Sequence, residues 1–311
     1  MPLHDQVVAL LERRSAMGAV PIETLSIADA RAVFARSVLS DGADMHSVED
    51  LIISTQGREI LLRLYRPAPQ VHGPVMLFVH GGGWMLGDLA TYDPLCRQIA
   101  TTARCIVVAV EYRLAPEHPF PAGLEDVYTA ASWIENHRAA LGLDGAMVVA
   151  GDSAGANLAG AVALAARDRG GPDLAAQVLV YPLTDAAADT ASLRLYATGY
   201  MVQTSALTWF WSHYLARPDD AENPYASPLR APNLTGLPPA LIITAEFDPV
   251  RDEGEAYGAA LTAAGNEVVV SRYAGMIHGF VQMPAVIDHG ADAIAQIGDF
   301  VAAAARRSQR V

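Results

Sequence analysis

Short apolar runs alternate with longer helical patterns along most of the chain, and no other feature limits the possible folds as strongly. Eight runs, most of them β-branched and bounded by Gly, Pro or Asp, are predicted strands at 51–55, 60–65, 75–80, 105–111, 147–151, 177–181, 240–245 and 267–272. Helical spacing predicts helices at 93–103, 122–138, 154–167, 252–264 and 285–305. Strands that alternate with helices form a parallel sheet covered on both faces. The sequence therefore predicts an α/β fold.

Two parts of the chain lie outside this alternation. Residues 1 to about 46 read as two helices, and residues 186–235 form an insertion between strands that is too long for an ordinary connection. The insertion is rich in aromatic residues, which suggests a cover over a site. The short loop 56–59 joins the first two strands and contains Gly57, so it predicts an antiparallel hairpin at one edge of the sheet.

The charged residues exclude several classes of function. The chain has 311 residues, with 21 basic and 34 acidic side chains and a net charge of −13, and every basic residue is arginine. Without lysine there is no Schiff-base enzyme, no lysine-anchored pyridoxal phosphate and no ordinary P-loop NTPase. An acidic chain without a basic block also lacks the clustered cations that nucleic-acid binding requires. We therefore expect no nucleic-acid partner.

Compartment and metal content can also be predicted. The first 19 residues carry charges and lack an apolar signal region, and no stretch approaches the roughly 20 apolar residues of a membrane helix. Cys96 and Cys105 are too few for a disulfide framework, and the sequence has neither an H-E-x-x-H motif nor a Cys/His cluster. We expect a cytoplasmic protein without stable membrane anchoring, with reduced thiols and with no metal or cofactor.

The segment Gly151-Asp152-Ser153-Ala154-Gly155 is the strongest short motif. It follows the apolar run 146–150 and precedes a predicted helix, which is the strand–turn–helix context of a nucleophile elbow. Such a turn holds the serine in a strained backbone conformation, and the flanking glycines avoid side-chain clashes. This context predicts that Ser153 is a nucleophile.

A second motif, His80-Gly81-Gly82-Gly83-Trp84, follows the predicted strand at 75–80 directly. Three consecutive glycines lose much entropy on ordering, so they favour a loop whose backbone amides approach a ligand closely. A phosphate loop is a poor alternative, because neither G-x-G-x-x-G spacing nor a lysine accompanies the motif. We predict that the amides of Gly82, Gly83 and Ala154 bind a developing oxyanion, and that His80 braces the loop.

A base and its partner acid are expected later in the chain, in the order Ser, Asp, His. Asp248 comes just past the predicted strand 240–245, and His278 lies in a loop beyond the strand 267–272. Because parallel sheets present functional groups at strand ends, we predict these two residues as acid and base. Asp252 and Glu253 read instead as acids in the first turn of a helix.

Four motifs together resemble the hormone-sensitive-lipase family of bacterial esterases. They are His-Gly-Gly-Gly-Trp at 80–84, Gly-Asp-Ser-Ala-Gly at 151–155, Tyr-Arg-Leu-Ala-Pro-Glu-His-Pro-Phe-Pro-Ala at 112–122 and Asp-Pro-Val-Arg-Asp-Glu-Gly at 248–254. The likeness runs from about residue 50 to 305 and is weaker in the N-terminal helices. Four motifs in one order are far more specific than any one of them.

The resemblance implies an α/β-hydrolase with an eight-stranded, mostly parallel sheet and a helical cap. The cap would combine residues 1–46 with the insertion 186–235, and residues 47–185 and 236–311 would form the catalytic domain. The implied activity is carboxylesterase action on small-molecule esters with short to medium acyl chains. Ser153 would be the nucleophile, His278 the base and Asp248 its orienting acid, while Glu111 and the segment 112–122 would be structural supports.

Two further expectations concern the substrate contacts and the assembly. Plausible apolar lining for the acyl or alcohol group comes from Trp84, Leu207, Trp209, Phe210, Trp211 and Tyr214, although each is as well explained by packing within a cap. The last strand, 267–272, offers an edge for pairing in a homodimer. Three alternative functions stay open: an amidase or peptidase, a lipase acting at an interface, and a binder that lacks catalysis, which the presence of His278 disfavours.

Overall fold

A single twisted sheet forms the centre of the protein in the computed structural model, which describes residues 2–37, 41–55, 57–69 and 73–308. Within these residues the sheet has eight strands in the order β1-β2-β4-β3-β5-β6-β7-β8. Only the pairs β1/β2 and β2/β4 are antiparallel. The strands are β1 Ser47–Thr55, β2 Arg58–Arg66, β3 Val75–Val79, β4 Ile106–Glu111, β5 Met147–Asp152, β6 Ala176–Val180, β7 Ala240–Phe247 and β8 Val268–Ile277.

The helices of the protein cover both faces of this sheet, and outside residues 1–46 and 186–235 they follow the strands in the predicted alternation. They are α1 Asp5–Ala16, α2 Ile27–Ala35, α3 Leu89–Ala103, α4 Ala122–Leu141, α5 Ala154–Arg169, α6 Ala191–Leu195, α7 Thr204–Tyr214, α8 Arg251–Ala263 and α9 Asp288–Ser308. Short 3-10 segments lie at Ile22–Thr24, Pro218–Glu222, Pro228–Arg230 and Phe280–Gln282. The predicted α/β class, with a mostly parallel sheet of eight strands, is confirmed.

The central strands are apolar along their whole length because helices cover both of their sides. Every residue of β3, β5 and β6 is buried. Helix α5 is almost as buried, since its alanine and glycine side chains allow it to pack closely on the sheet. Strands β5, β6, β7 and β8 are neighbours and parallel, so their carboxyl ends meet at one edge of the sheet. This edge is where functional residues collect in such folds.

The two edges of the sheet can be compared with the hairpin and the edge strand that the sequence predicts. The predicted antiparallel hairpin is formed by β1 and β2, although Gln56 of its loop lies outside the described residues. Strand β8 forms the opposite edge, where Val269 and Val270 are exposed. The homodimer expected from this edge stays a prediction. Strand β8 extends to Ile277, five residues beyond the predicted end, so that His278 follows it immediately.

Three other features expected from the sequence can be compared directly. In the described part of the chain, no helix is long and apolar enough to cross a membrane. Cys96 and Cys105 are buried free thiols, so no disulfide joins them. Among the same residues, no group of three or more His, Cys, Asp or Glu side chains is arranged to hold a metal ion.

Candidate active site

Ser153 forms the sharp turn between β5 and α5. Its backbone has φ 55° and ψ −122°, a conformation that costs a residue with a side chain about 1–3 kcal/mol. A β-carbon on Gly151 would lie 2.4 Å from the Gly155 carbonyl oxygen, and one on Gly155 would lie 2.0 Å from that of Val79. Gly151 must be glycine because α5 turns back this closely on the end of β5, and Gly155 must be glycine because α5 starts this close to the neighbouring strand β3. The Gly-x-Ser-x-Gly spacing therefore has a steric cause.

Asp248 and His278 meet Ser153 at the carboxyl edge of the sheet. The Nε2 atom of His278 is 2.8 Å from Oγ of Ser153, and its Nδ1 atom is 2.8 Å from Oδ2 of Asp248. Asp248 is completely buried and His278 is 6% exposed. The other carboxylate oxygen of Asp248 accepts a hydrogen bond from the amide of Val250 at 3.0 Å. A proton on Nδ1 donates to the carboxylate, which leaves Nε2 free to accept from the serine hydroxyl.

The glycine loop after β3 lies beside the serine turn because β3 pairs with β5. Gly82, Gly83 and Trp84 have φ angles of 104°, 61° and 60°, three successive left-handed residues. The carbonyl of Gly82 accepts hydrogen bonds from the amides of Met85 and Leu86 at 3.2 and 2.9 Å. A β-carbon on Gly82 would lie 2.3 Å from the Leu86 oxygen, so glycine is required there. The loop is thus a compact turn next to Ser153.

Asp152 joins the loops of the site, a role that sequence reasoning missed. Its carboxylate accepts hydrogen bonds from the amide of Gly81 at 2.9 Å, from the hydroxyl of Tyr92 at 3.3 Å and from the side-chain amide of Gln282. Gln282 lies four residues after His278, so one buried carboxylate connects the glycine loop, the serine turn and the histidine loop. An acidic residue that ends a wholly apolar strand was the available signal.

Burial raises the pKa of Asp152 to about 6, although the bonds from Gln282 and Gly81 oppose the rise. The unfolded value is about 3.9. A raised folded pKa means that the contribution of this group to stability is complete below pH 4 and is lost as pH rises through 6.

Between pH 5.5 and pH 8, the unfolding free energy of the wild-type protein should therefore fall by about 1 kcal/mol more than that of Asp152→Asn. Urea unfolding at the two pH values measures this difference. Asp50→Asn is the control, because Arg63 holds the pKa of Asp50 below its usual value, so its contribution is constant over this range. If the unfolding free energies of Asp152→Asn and Asp50→Asn changed by the same amount between the two pH values, the raised pKa of Asp152 would be contradicted.

His80 lies in the core at the start of the glycine loop, and its Nδ1 atom is 2.8 Å from the carbonyl oxygen of Gly81. It is 3% exposed, and its ring stacks on Tyr112 with centroids 4.3 Å apart. Burial lowers the pKa of His80 to about 4, so the imidazole is neutral at physiological pH. The hydroxyl of Tyr112 donates to the carbonyl oxygen of His80 at 2.9 Å. In the same region, Glu111 accepts from the amide of Leu89 at the start of α3.

The acids after Asp248 lie in the first turn of α8, as the sequence indicates, but they differ in environment. Glu253 is 3% exposed, and burial raises its pKa well above the usual value. Asp252 instead accepts a 2.8 Å hydrogen bond from the amide of Ser192, whose hydroxyl donates to the carbonyl of Pro249 at 2.7 Å. Helix α6 of the insertion is thereby fixed to the loop that carries Asp248.

The six predicted lining residues divide into two groups. Trp84 and Tyr214 are 1% exposed and stack face to face with centroids 4.3 Å apart, and Trp211 packs on Trp84 at the same distance. These three form an aromatic cluster behind the glycine loop. Phe210 contacts the loop itself, since a β-carbon on Gly83 would lie 2.2 Å from its Cδ1 atom.

The remaining two predicted lining residues are Leu207 and Trp209. Trp209 is half-buried and packs on Phe210, with centroids 5.2 Å apart. Leu207 is 6% exposed and belongs to the same helix, α7. Phe210 therefore connects helix α7 to Gly83 of the glycine loop.

A serine turn, a histidine and a buried aspartate at the carboxyl edge of a mostly parallel sheet define an α/β-hydrolase. The model of the family described as alpha/beta hydrolase fold matches residues 76–282. The chain therefore belongs to that family, within which it is a carboxylic ester hydrolase similar to the hormone-sensitive-lipase esterases.

Named relatives and a solved structure agree on ester hydrolysis. The carboxylic ester hydrolase LipN of Mycobacterium tuberculosis is 44% identical, and the match covers 78% of this chain and 66% of LipN. The ethyl acetate hydrolase of Pseudomonas putida is 34% identical, with 96% of this chain and 98% of that protein covered. The hyperthermophilic esterase of the archaeon Pyrobaculum calidifontis has a TM-score of 0.93 and 40% identity, with 97% of this chain and 99% of that chain covered.

Proposed function

We propose that the protein is a serine carboxylesterase that hydrolyses esters with short to medium acyl chains through Ser153, His278 and Asp248. The observation that carries this proposal is the pair of 2.8 Å contacts that link the three side chains in series. Nucleophile, base and orienting acid lie within hydrogen-bond reach of each other, as acyl transfer requires.

Acylation begins when His278 takes the proton of Ser153 and Oγ attacks the ester carbonyl. The amides of Gly82, Gly83 and Ala154 stabilise the resulting oxyanion, and the amino-terminal end of α5 adds a favourable dipole. Asp248 keeps the Nδ1 proton in place and stabilises the imidazolium. The alcohol leaves after it takes a proton from Nε2, and the acyl group remains on Ser153.

Deacylation repeats these steps with water as the nucleophile. His278 takes a proton from the water, the hydroxide attacks the acyl-enzyme, and Ser153 regains its proton as the carboxylic acid leaves. Besides the ester and a water molecule, these steps use only the side chains and backbone amides named above.

We further propose that residues 1–46 and 186–235 form a cap over a catalytic domain made of residues 47–185 and 236–311. Two contacts support the cap. Ser205 of α7 donates a hydrogen bond to Glu23, so the two parts of the cap touch. Phe210 of α7 packs on Gly83, which brings the cap against the proposed oxyanion amides. The cap would therefore limit the space for the acyl chain.

A series of p-nitrophenyl esters from acetate to dodecanoate tests the proposed substrate range. The wild-type protein should give its highest kcat/KM among the short and medium esters. Phe210→Ala should shift the optimum to longer chains, because each newly buried methylene contributes up to about 0.8 kcal/mol, or about fourfold in kcat/KM. Trp133→Ala is the control, since Trp133 stacks on His137 of its own helix α4.

A preference for dodecanoate in the wild-type protein would contradict the proposed chain length. Activity that rises sharply above the solubility limit of an ester would instead favour the interfacial lipase, and faster cleavage of p-nitroanilides than of esters would favour the amidase. If Phe210→Ala kept the acyl-chain optimum of the wild-type protein, Phe210 would not line the substrate pocket.

A further inference from the structure

Arg31 on helix α2 makes four hydrogen bonds to residues that are distant in the sequence. Its Nε atom donates to the carbonyl oxygen of Met85 at 2.9 Å, and Nη2 donates to that of Ala115 at 3.1 Å. The fork of the guanidinium also holds both carboxylate oxygens of Glu117, at 2.8 and 2.7 Å. A planar fork with five donors fits such a set of acceptors, whereas a lysine ammonium does not.

Both carbonyl groups that Arg31 holds belong to peptide segments bonded to the glycine loop. The amide of Met85 donates to the carbonyl oxygen of Gly82, and the amide of Ala115 donates to that of Trp84 at 2.9 Å. The two residues whose carbonyl groups Arg31 holds, Met85 and Ala115, therefore each bond to one end of the turn at 82–84. The turn is clamped from the side of the N-terminal helices.

This turn needs external support because its backbone is strained. Trp84 has φ 60°, and a left-handed conformation costs a residue with a side chain about 1–2 kcal/mol. Such a conformation persists only where surrounding contacts fix it. The amides of an oxyanion site must be held within about 0.5 Å of their productive positions.

We propose that Arg31 is a positioning residue, which holds the oxyanion amides of Gly82 and Gly83 through the carbonyl groups of Met85 and Ala115. This inference rests on the proposed function, because it requires those amides to bind the oxyanion. It makes helix α2 a part of the catalytic apparatus and not only a cover over the substrate.

Arg31→Ala should lower kcat and kcat/KM for p-nitrophenyl acetate by about tenfold to thirtyfold, with KM changed less than about threefold. The loss is smaller than the roughly 10²–10³ expected for a missing donor, because the amides are displaced and not removed. A trifluoromethyl ketone gives a second readout. Oγ of Ser153 adds to its carbonyl carbon, the serine proton passes to His278, and the alkoxide occupies the oxyanion site. Its Ki should rise by the same factor as kcat/KM falls.

Three further variants separate positioning from simple stability. Arg31→Lys keeps the charge but loses the fork, so its activity should lie between wild type and Arg31→Ala. Glu117→Gln keeps the two bonds from Arg31 to carbonyl groups and should retain more than half of the wild-type kcat. Arg217→Ala removes an arginine whose side chain bonds to Asp220 of the adjacent 3-10 segment, and it should leave kcat unchanged.

A lower melting temperature of Arg31→Ala, with unchanged kcat and unchanged ketone affinity per folded molecule, would overturn the inference and leave the proposed function intact. If Arg31→Ala does not fold, the fall in kcat/KM and the rise in Ki are measured for Arg31→Lys and Arg31→Gln and compared in the same way. Failure of the trifluoromethyl ketone to inhibit the wild-type protein would instead contradict the proposed function.

Discussion

Replacement of Ser153 by alanine should lower kcat for p-nitrophenyl acetate by about 10⁴-fold or more while the fold survives. Alanine has a β-carbon like serine, so the strained turn at φ 55° is no harder to form. The lost Oγ is the atom 2.8 Å from Nε2 of His278. Without it no acyl-enzyme forms, and only the amides and the positioned base remain to assist direct attack by water.

Single-turnover measurements together with a melting curve distinguish loss of chemistry from loss of structure. Ser132→Ala is the matched control: Ser132 bonds to the carbonyl of Tyr128 within its own helix, and its loss should leave kcat within about twofold of wild type. A Ser153→Ala variant that is folded and keeps more than one hundredth of the wild-type kcat would show that another residue attacks the ester.

The parts of the site that the sequence predicts are those fixed by local geometry. The serine turn follows from the close approach of Gly151 to the carbonyl group of Gly155, and the positions of Asp248 and His278 follow from loops that end parallel strands at one edge. The apolar pattern alone does not mark the end of β8. Gly275 interrupts the apolar pattern, yet Met276 and Ile277 are buried and continue the strand.

The contacts between distant segments could not be read from the sequence. Nothing near Arg31 in the chain indicates that it bonds to carbonyl groups 54 and 84 residues away. The same is true of Phe210 against Gly83, since periodicity places Phe210 on a helix but does not say which loop the helix meets. Spacing determines what a residue can do locally, whereas the packing of the elements determines which residues meet.

Asp248→Asn should lower kcat by about 10³–10⁴-fold, nearly as much as loss of the nucleophile. The reason lies in the second oxygen of Asp248, which accepts a hydrogen bond from the amide of Val250. An asparagine would keep its oxygen toward that amide and turn its NH₂ group toward Nδ1 of His278. The imidazole would then carry its proton on Nε2, where it cannot accept the proton of Ser153.

The surface pair His289 and Asp292 provides a control for this tautomer argument. Its Nδ1–carboxylate distance of 2.9 Å is nearly that of the buried pair, but the Asp292 side chain is 64% exposed. Asp292→Asn should therefore leave kcat unchanged, because water replaces the lost acceptor. The slow acylation of Asp248→Asn is measured from the burst of p-nitrophenol, which should fall in rate with kcat. A wrong tautomer must slow proton removal from Ser153. A burst at the wild-type rate would therefore mean that the 2.8 Å contact between His278 and Asp248 contributes to the packing of the loop and does not set the tautomer.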